Sequence, residues 1–274
     1  MKRLKIYAPL MILVLIALII PLVTMFVTSF QTINGQFSLE NYTQIFKNHE
    51  YHEAIFNSLW ISLVASVPSL LVAILGAWAL KNLKTQTKDV LITFFDMSSS
   101  FAGIPLAFSL IILFGNAGVW KAMATAFHIT KVFNIYSMTG MTFSYTFFEI
   151  PLGIMFLFPV FEQLNSSWSE ASQVLGASDF FFLKKVALPI VFPNLIEVFI
   201  LLFANAMGTY ETAYALTGNN VLSIPILIGT LINGELTSNL PMACAIAGLF
   251  TVLMTMMVMT GNYLTRKREG NFKS

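Results

Sequence analysis

Charged side chains are scarce in this chain. Only 10% of its 274 residues are Asp, Glu, Lys or Arg, and 57% are hydrophobic, whereas an ordinary soluble domain has about 25% charged residues. A soluble globule with so little polar surface would expose large apolar patches, which drive association. The composition therefore excludes an ordinary water-soluble fold and indicates a protein that lies in lipid.

Cysteine and clustered basic residues are also lacking. The single cysteine, Cys244, lies within an apolar run and has no partner for a disulfide and no neighbouring metal ligands. The net charge is only +2, and the Lys and Arg residues are scattered rather than aligned in a stripe, so nucleic acid is not an expected partner. No residue pattern indicates a metal site or a catalytic site, and we do not expect an enzyme.

A phosphate-binding loop is missing as well. The chain contains no Gly-x-x-x-x-Gly-Lys-Ser/Thr sequence, and no glycine is followed by lysine anywhere. Such a loop is what cradles the phosphates in many ATPases. We therefore expect no cofactor to be bound by this chain, and any ATP and Mg²⁺ that it depends on would be used by another subunit.

Long apolar runs, by contrast, are abundant. A bilayer core about 30 Å thick requires about 20 mostly apolar residues per helix, and irregular backbone cannot face lipid. The fold class predicted is an all-α integral membrane protein with six transmembrane helices, and the first run is too long for a cleaved signal peptide. The predicted spans are Tyr7–Phe30, Phe56–Leu80, Val90–Phe114, Ile135–Phe161, Pro189–Tyr210 and Leu240–Leu264.

Lysine and arginine predict the orientation, because they accumulate on the cytoplasmic side of a membrane. Both termini and the loops after spans two and four are therefore predicted to be cytoplasmic, in a bacterial-type plasma membrane. One face collects Lys2, Arg3, Lys5, Lys81, Lys84, Lys88, Lys184, Lys185, Arg266, Lys267, Arg268 and Lys273, and the other only Lys47, Lys121 and Lys131. On the outer face, Asn116–Phe133 has the spacing of an interfacial helix, and Val221–Ile232 is typical of a re-entrant or surface-lying segment.

The loop after span four carries an extended sequence pattern. Glu170, Ala171 and Ser172 are followed by three residues, Gly176, nine further residues and then Val-Ala-Leu-Pro ending at Pro189. This loop resembles the EAA loop of binding-protein-dependent ABC importer permeases, with Ser172 in place of the second alanine and Val186 in place of isoleucine. The resemblance implies the type I ABC importer permease architecture.

In that family the EAA loop couples the spans to a cytoplasmic ATPase dimer. The residues implied in coupling here are Glu170, Ala171, Ser172, Gly176, Ala177, Leu188 and Pro189. The resemblance also implies a second permease subunit, identical or related, and an extracytoplasmic substrate-binding protein, working by alternating access. Gly176 is expected to let the chain turn sharply between the first helix of the loop and a second short helical piece. The phenylalanines Phe180, Phe181 and Phe182 are expected to anchor this second piece under the helical bundle.

Shorter matches suggest a branch of the family. Gly103–Ala107 and Gly208–Ala213 are similar to permeases that serve spermidine or putrescine, iron and thiamine, so a polyamine-like or other small solute is favoured. The predicted domains are an N-terminal helix with its external loop, residues 1–55, and a permease domain, residues 56–264, which contains the coupling loop, residues 162–189. A cytoplasmic tail, residues 265–274, follows.

Span five carries a polar stripe that does not depend on the resemblance. At about 100° per residue, Asn194, Glu197, Asn205, Gly208 and Thr212 fall within an arc of about 80°. A polar stripe on an apolar helix should face a cavity or another protein helix. The stripe is therefore predicted to line a translocation path, or alternatively to pack against neighbouring helices.

Two further carboxyl groups lie inside apolar spans. Glu149 is in span four and Asp96 in span three, and ionisable groups at such depth usually have a function. Both are candidates for the path. They also sustain an alternative, in which the chain is a secondary transporter or channel that relays protons or cations through Glu149, Glu197 and Asp96 without an ATPase.

Overall fold

A computed structural model describes residues 2–128, 133–234 and 238–272. Lys131 and Lys273, which the charge count included, lie outside the described residues. Within these ranges the regular secondary structure is helical, apart from one isolated bridge between Gln31 and Phe37. In chain order the helices are α1 (Lys2–Ser29), α2 (Glu40–Lys47), α3 (His49–Lys81), α4 (Thr85–Ser100), α5 (Ile104–Phe114), α6 (Val119–Ala126), α7 (Met138–Glu162), α8 (Ser166–Val174), α9 (Asp179–Phe182), α10 (Leu188–Gly208), α11 (Glu211–Thr217), α12 (Ile224–Asn233) and α13 (Leu240–Phe272).

Six stretches of the described chain are long and apolar enough to cross a membrane, which confirms the predicted number of spans. They are Met11–Ser29, His49–Lys81, Ile104–Ala126, Met138–Glu162, Asp179–Gly208 and Leu240–Gly261. The two short apolar segments predicted between the spans are also helical, as α6 and α12, but α6 forms the end of the third stretch instead of lying outside it.

The third span differs from the prediction. Val90–Phe114 was expected to be one continuous helix, but the chain breaks between α4 and α5 at Phe101–Gly103. Gly103 has a φ of 81°, a left-handed conformation that favours glycine, and Pro105 in the first turn of α5 has no N–H to continue a preceding helix. The apolar stretch long enough to span therefore begins at Ile104 and continues through α6.

The helices group into two compact units. One contains the chain up to Phe56 together with Leu222–Thr255. Within it, the end of α1 is fixed by Asn41, whose Nδ2 donates to the carbonyl oxygens of Ser29, at 3.0 Å, and Gln31, at 2.8 Å. The hydrophobic side chains of α1 are mostly exposed, as expected for a helix that faces lipid.

The second unit contains Asn57–Val221 and the end of α13. Its core is built where small residues let helices approach closely, as is common in membrane proteins. A Cβ atom added at Gly153 of α7 would lie 2.9 Å from the Cβ of Ala73 in α3 and 3.3 Å from a methyl group of Leu202 in α10. Gly153 is therefore the point at which α3, α7 and α10 meet.

Candidate functional site

The loop between α7 and α10 is a preformed helical hairpin. Its first helix, α8, begins at Asn165, whose side-chain oxygen accepts a hydrogen bond from the N–H of Ser167. It ends in a Schellman motif: the N–H of Ala177 bonds to the carbonyl of Ser172 and that of Gly176 to Gln173. Gly176 has a φ of 80°. The sharp turn predicted at Gly176 is present.

The second arm of the hairpin is attached to the spans through one phenylalanine. Phe182 is 1% exposed, and its ring lies 5.8 Å from that of Trp78 in α3, which in turn contacts Phe161 at the end of α7. The prediction that all three phenylalanines anchor the loop is wrong, because Phe180 and Phe181 are 68% and 53% exposed. On a short helix beneath a bundle, only one of three consecutive side chains can point into the core.

A widened helical turn joins this anchor to span five. Residues Leu183–Ala187 form a π-helical turn, in which the N–H of Leu188 bonds to the carbonyl of Leu183. Pro189 follows directly and has no N–H to donate. Leu183 and Ala187 are buried in the same core as Phe182. The helix α9, the π-helical turn and α10 therefore form one continuous helical segment, Asp179–Gly208, which we call the rod.

The outer face of the hairpin is apolar and exposed. Val174 and Leu175 are 88% and 87% exposed, although they are among the most hydrophobic residues of the loop. Glu170 and Ala171 are exposed on the same helix. A surface of this kind on a short loop is typical of a contact with another protein.

At the far end of span five, the structure contains an open cleft of about 440 Å³. The predicted stripe residues Asn205 and Gly208 line it, as does Phe148 of α7. Thr212, which was placed on the same stripe, is fully buried. Because α10 ends at Gly208, Thr212 belongs to α11 and not to the helix of span five.

Two helix breaks form the walls of the cleft. Ala102 and Gly103 come from the break before α5, and Thr209, Tyr210 and Glu211 from the break after α10. Irregular backbone at membrane depth is tolerated where it lines a cavity.

Hydrogen bonds fix both breaks in place. The hydroxyl of Thr212 donates to the carbonyl of Gly103 at 3.2 Å, and the Tyr145 hydroxyl of α7 donates to the carbonyl of Thr209 at 2.9 Å. Backbone groups that the broken helices leave open are satisfied in this way.

The other predicted path residues lie elsewhere. Asn194 and Glu197 are on the part of α10 nearer the hairpin, half-buried and exposed respectively, and Asp96 is exposed on α4. None of these three residues lines the cleft. Their assignment to the path stays a prediction.

Glu149 lies between α7 and α3 and does not line the cleft. It is fully buried in α7, and its Oε1 accepts a hydrogen bond from the hydroxyl of Ser66 in α3 at 3.3 Å. Its other carboxyl oxygen has no hydrogen-bond partner among the residues that the structure describes. The adjacent residue, Phe148, reaches the cleft instead.

Sequence reasoning missed the two side chains that give the cleft its chemistry, Tyr210 and Glu211. In the sequence, both belong to the stretch Gly208–Ala213, whose similarity to the family assigns neither of them a role. A carboxylate that directly follows a Gly-Thr-Tyr helix end, in a stretch without any basic residue, is a signal that could have identified them.

No protein-family model matches the chain, but individual proteins do. The sulfoquinovosyl glycerol transport system permease protein SmoH of Agrobacterium fabrum is 25% identical over 240 residues, which cover 86% of this chain and 78% of that protein. The spermidine/putrescine transport system permease protein PotB of Haemophilus influenzae is 25% identical over 252 residues, 88% of this chain and 86% of that protein.

A solved structure has the same fold. It is the crystal structure of a bacterial ABC transporter involved in the import of the acidic polysaccharide alginate. It aligns with a TM-score of 0.79 at 17% identity and covers 97% of this chain and 98% of that chain.

A six-span helical fold with an exposed hairpin and a cleft between broken helices defines a membrane transport subunit. Together with these relatives, it indicates that this chain is a multi-pass bacterial membrane protein, similar to ABC importer permeases, that transports rather than catalyses.

Proposed function

We propose that this permease forms half of the translocation path of an importer whose other parts are a second permease subunit, a cytoplasmic ATPase dimer and an extracytoplasmic binding protein. A small solute is delivered to the outer side and leaves in the cytoplasm. Both termini and the hairpin of residues 162–189 are cytoplasmic, in the orientation that the lysine and arginine count favours.

The observation that carries this proposal is the connected rod from hairpin to cleft. The exposed end at Val174 and Leu175 meets the ATPase, Phe182 and Trp78 transmit displacement to α3, and α10 runs on to the cleft at Gly208. Closely packed elements move as units rather than deform. A movement of the hairpin therefore displaces α3 and α10 together.

Alternating access follows from this geometry. ATP and Mg²⁺ are held by the ATPase subunits, whose closure on ATP draws the two hairpins of the permease pair together. The rods then open the cleft outward to receive the solute, and hydrolysis resets them. Glu170, Ala171 and Ser172 of α8, with Gly176 and Ala177 at the turn, form the contact, and Leu188 and Pro189 begin the rod.

Substituting Leu175 tests the docking surface. Leu175→Asp places a charge on a side chain that is 87% exposed, so it should leave folding intact while it disrupts an apolar contact. We expect co-purification of the ATPase subunit from membranes to fall about tenfold or more, a loss typical of a central interface residue, and ATP-driven uptake to fall with it.

Ile33→Asp is the matched control, because Ile33 is an apolar residue, 73% exposed, in the loop after α1. It should retain the ATPase at the wild-type level. Undiminished ATPase binding and uptake in the Leu175 variant would refute the docking role of the hairpin.

A further inference from the structure

The cleft between the two helix breaks has one charged side chain. Of the residues that line it in the described part of the chain, only Glu211 has an acidic or basic side chain of the Asp, Glu, Lys or Arg type. Its carboxylate is exposed. The ion pair that the structure shows within its described ranges joins Lys88 to Glu162, so it does not involve Glu211. The described lining of the cleft therefore carries an acidic side chain and no lysine or arginine.

The carboxylate of Glu211 lies where an anion would otherwise bind. A Cβ atom added at Gly103 would lie 2.5 Å from Oε2 of Glu211, and Gly103 is the N-cap of α5. The free N–H groups at a helix N-terminus attract negative charge. Glu211 already occupies that end of α5, so an anionic solute entering the cleft would meet a carboxylate in the place that would otherwise stabilise it.

Basic residues are scarce in the middle of the chain. Apart from Lys121 and Lys131 in the segment after α5, no lysine or arginine occurs between residues 89 and 183, and none occurs between 186 and 265. Within the spans of these stretches lie Glu149 and Glu197, and Asp96 lies in α4, before the third span begins. Acidic groups without basic partners raise the local concentration of cations in a low-dielectric path.

An aromatic face adjoins the carboxylate. Tyr210 lines the cleft next to Glu211, and its ring stacks on that of Tyr214 with centroids 5.4 Å apart. Aromatic faces attract ammonium groups. No group of three metal-ligating side chains occurs in the part of the chain that the structure covers, so a carboxylate beside a tyrosine face fits an organic amine better than a metal ion.

We infer that the solute carried by this permease is an organic cation with a protonated amino group, and that Glu211 is the residue of this chain that selects it. The inference rests on the proposed function, because it takes the cleft to be part of the path. It also separates this chain from the solved transporter of similar fold, which is involved in the import of an acidic polysaccharide.

Uptake by the complete importer tests this selectivity. Vesicles that contain the permease pair, the ATPase and the binding protein are supplied with ATP and with labelled spermidine, sulfate or maltose as cationic, anionic and neutral probes. We expect wild-type uptake of spermidine and of neither other probe. Glu211→Gln should raise the KM for spermidine about tenfold or more, the loss expected for a charge-assisted contact, with little change in the maximal rate.

Two variants separate selection from folding. Glu211→Asp keeps the charge and should restore most of the affinity, whereas a purely structural role would tolerate Gln at least as well as Asp. Asp89→Asn removes an exposed carboxylate at the opposite end of α4 and should leave the KM unchanged.

Three outcomes overturn the inference. Wild-type uptake of sulfate or maltose, failure to take up spermidine, or an unchanged KM in Glu211→Gln would each do so, and ATP-driven uptake of an anion would leave the proposed function intact. Uptake of any probe without ATP would instead overturn the proposed function itself.

Discussion

Gly153 shows how a single residue sets the distance between three helices. Gly153→Ala gains about 1 kcal/mol of helix propensity, but its Cβ would lie 2.9 Å from the Cβ of Ala73, which is attached directly to backbone and cannot turn aside. Overpacking of this kind costs about 1–3 kcal/mol. We expect a net loss of about 1 kcal/mol in the free energy of unfolding, measured by denaturation in detergent.

Gly208→Ala is the comparison, because an added Cβ at Gly208 meets no atom within 4 Å. This variant should be as stable as the wild type. Equal stability of the two alanine variants would show that α3, α7 and α10 are not in close contact at Gly153.

Among the elements, α9 is the one whose packing ties the hairpin to the spans. Phe182→Ala removes a side chain buried against Trp78, and truncating a buried phenylalanine costs about 3–5 kcal/mol. We expect a loss of about 3 kcal/mol in stability together with loss of uptake, while the ATPase still co-purifies through Leu175. Thermal unfolding and the co-purification assay measure the two effects separately.

Phe180→Ala is the neighbouring control for stability, since Phe180 is mostly exposed. It should change the free energy of unfolding by less than about 0.5 kcal/mol. A stability loss as large as that of the Phe182 variant would contradict the assignment of Phe182 as the anchor.

Hydropathy predicted the spans because membrane insertion depends on the summed apolarity of about 20 residues and hardly on their order. A sum over about 20 residues does not show where a helix is interrupted within the apolar run. Pro68, Pro151 and Pro193 lie inside helices without ending them, so Pro105 alone did not indicate the break at Gly103. The break requires the left-handed conformation of Gly103, which hydropathy does not register.

Contacts between residues that are distant in the sequence could not be predicted either. The pattern around Gly176 predicted the hairpin and its turn, because those depend on neighbouring residues. Which of three consecutive phenylalanines is buried depends on Trp78, about a hundred positions away, and the position of Glu149 between α7 and α3 depends on Ser66. The cleft required the two helix breaks to be placed side by side, which no local pattern reveals.

For the molecule as a whole, the central claim is that a separate ATPase drives transport through the hairpin around Gly176. The most direct measurement is solute uptake into vesicles that contain the permease pair, with or without the ATPase, under ATP or under an imposed proton gradient. Uptake only with the ATPase and ATP present is the predicted result. Uptake driven by the proton gradient in vesicles that hold the permease alone would contradict the account and favour a relay through Glu149, Glu197 and Asp96.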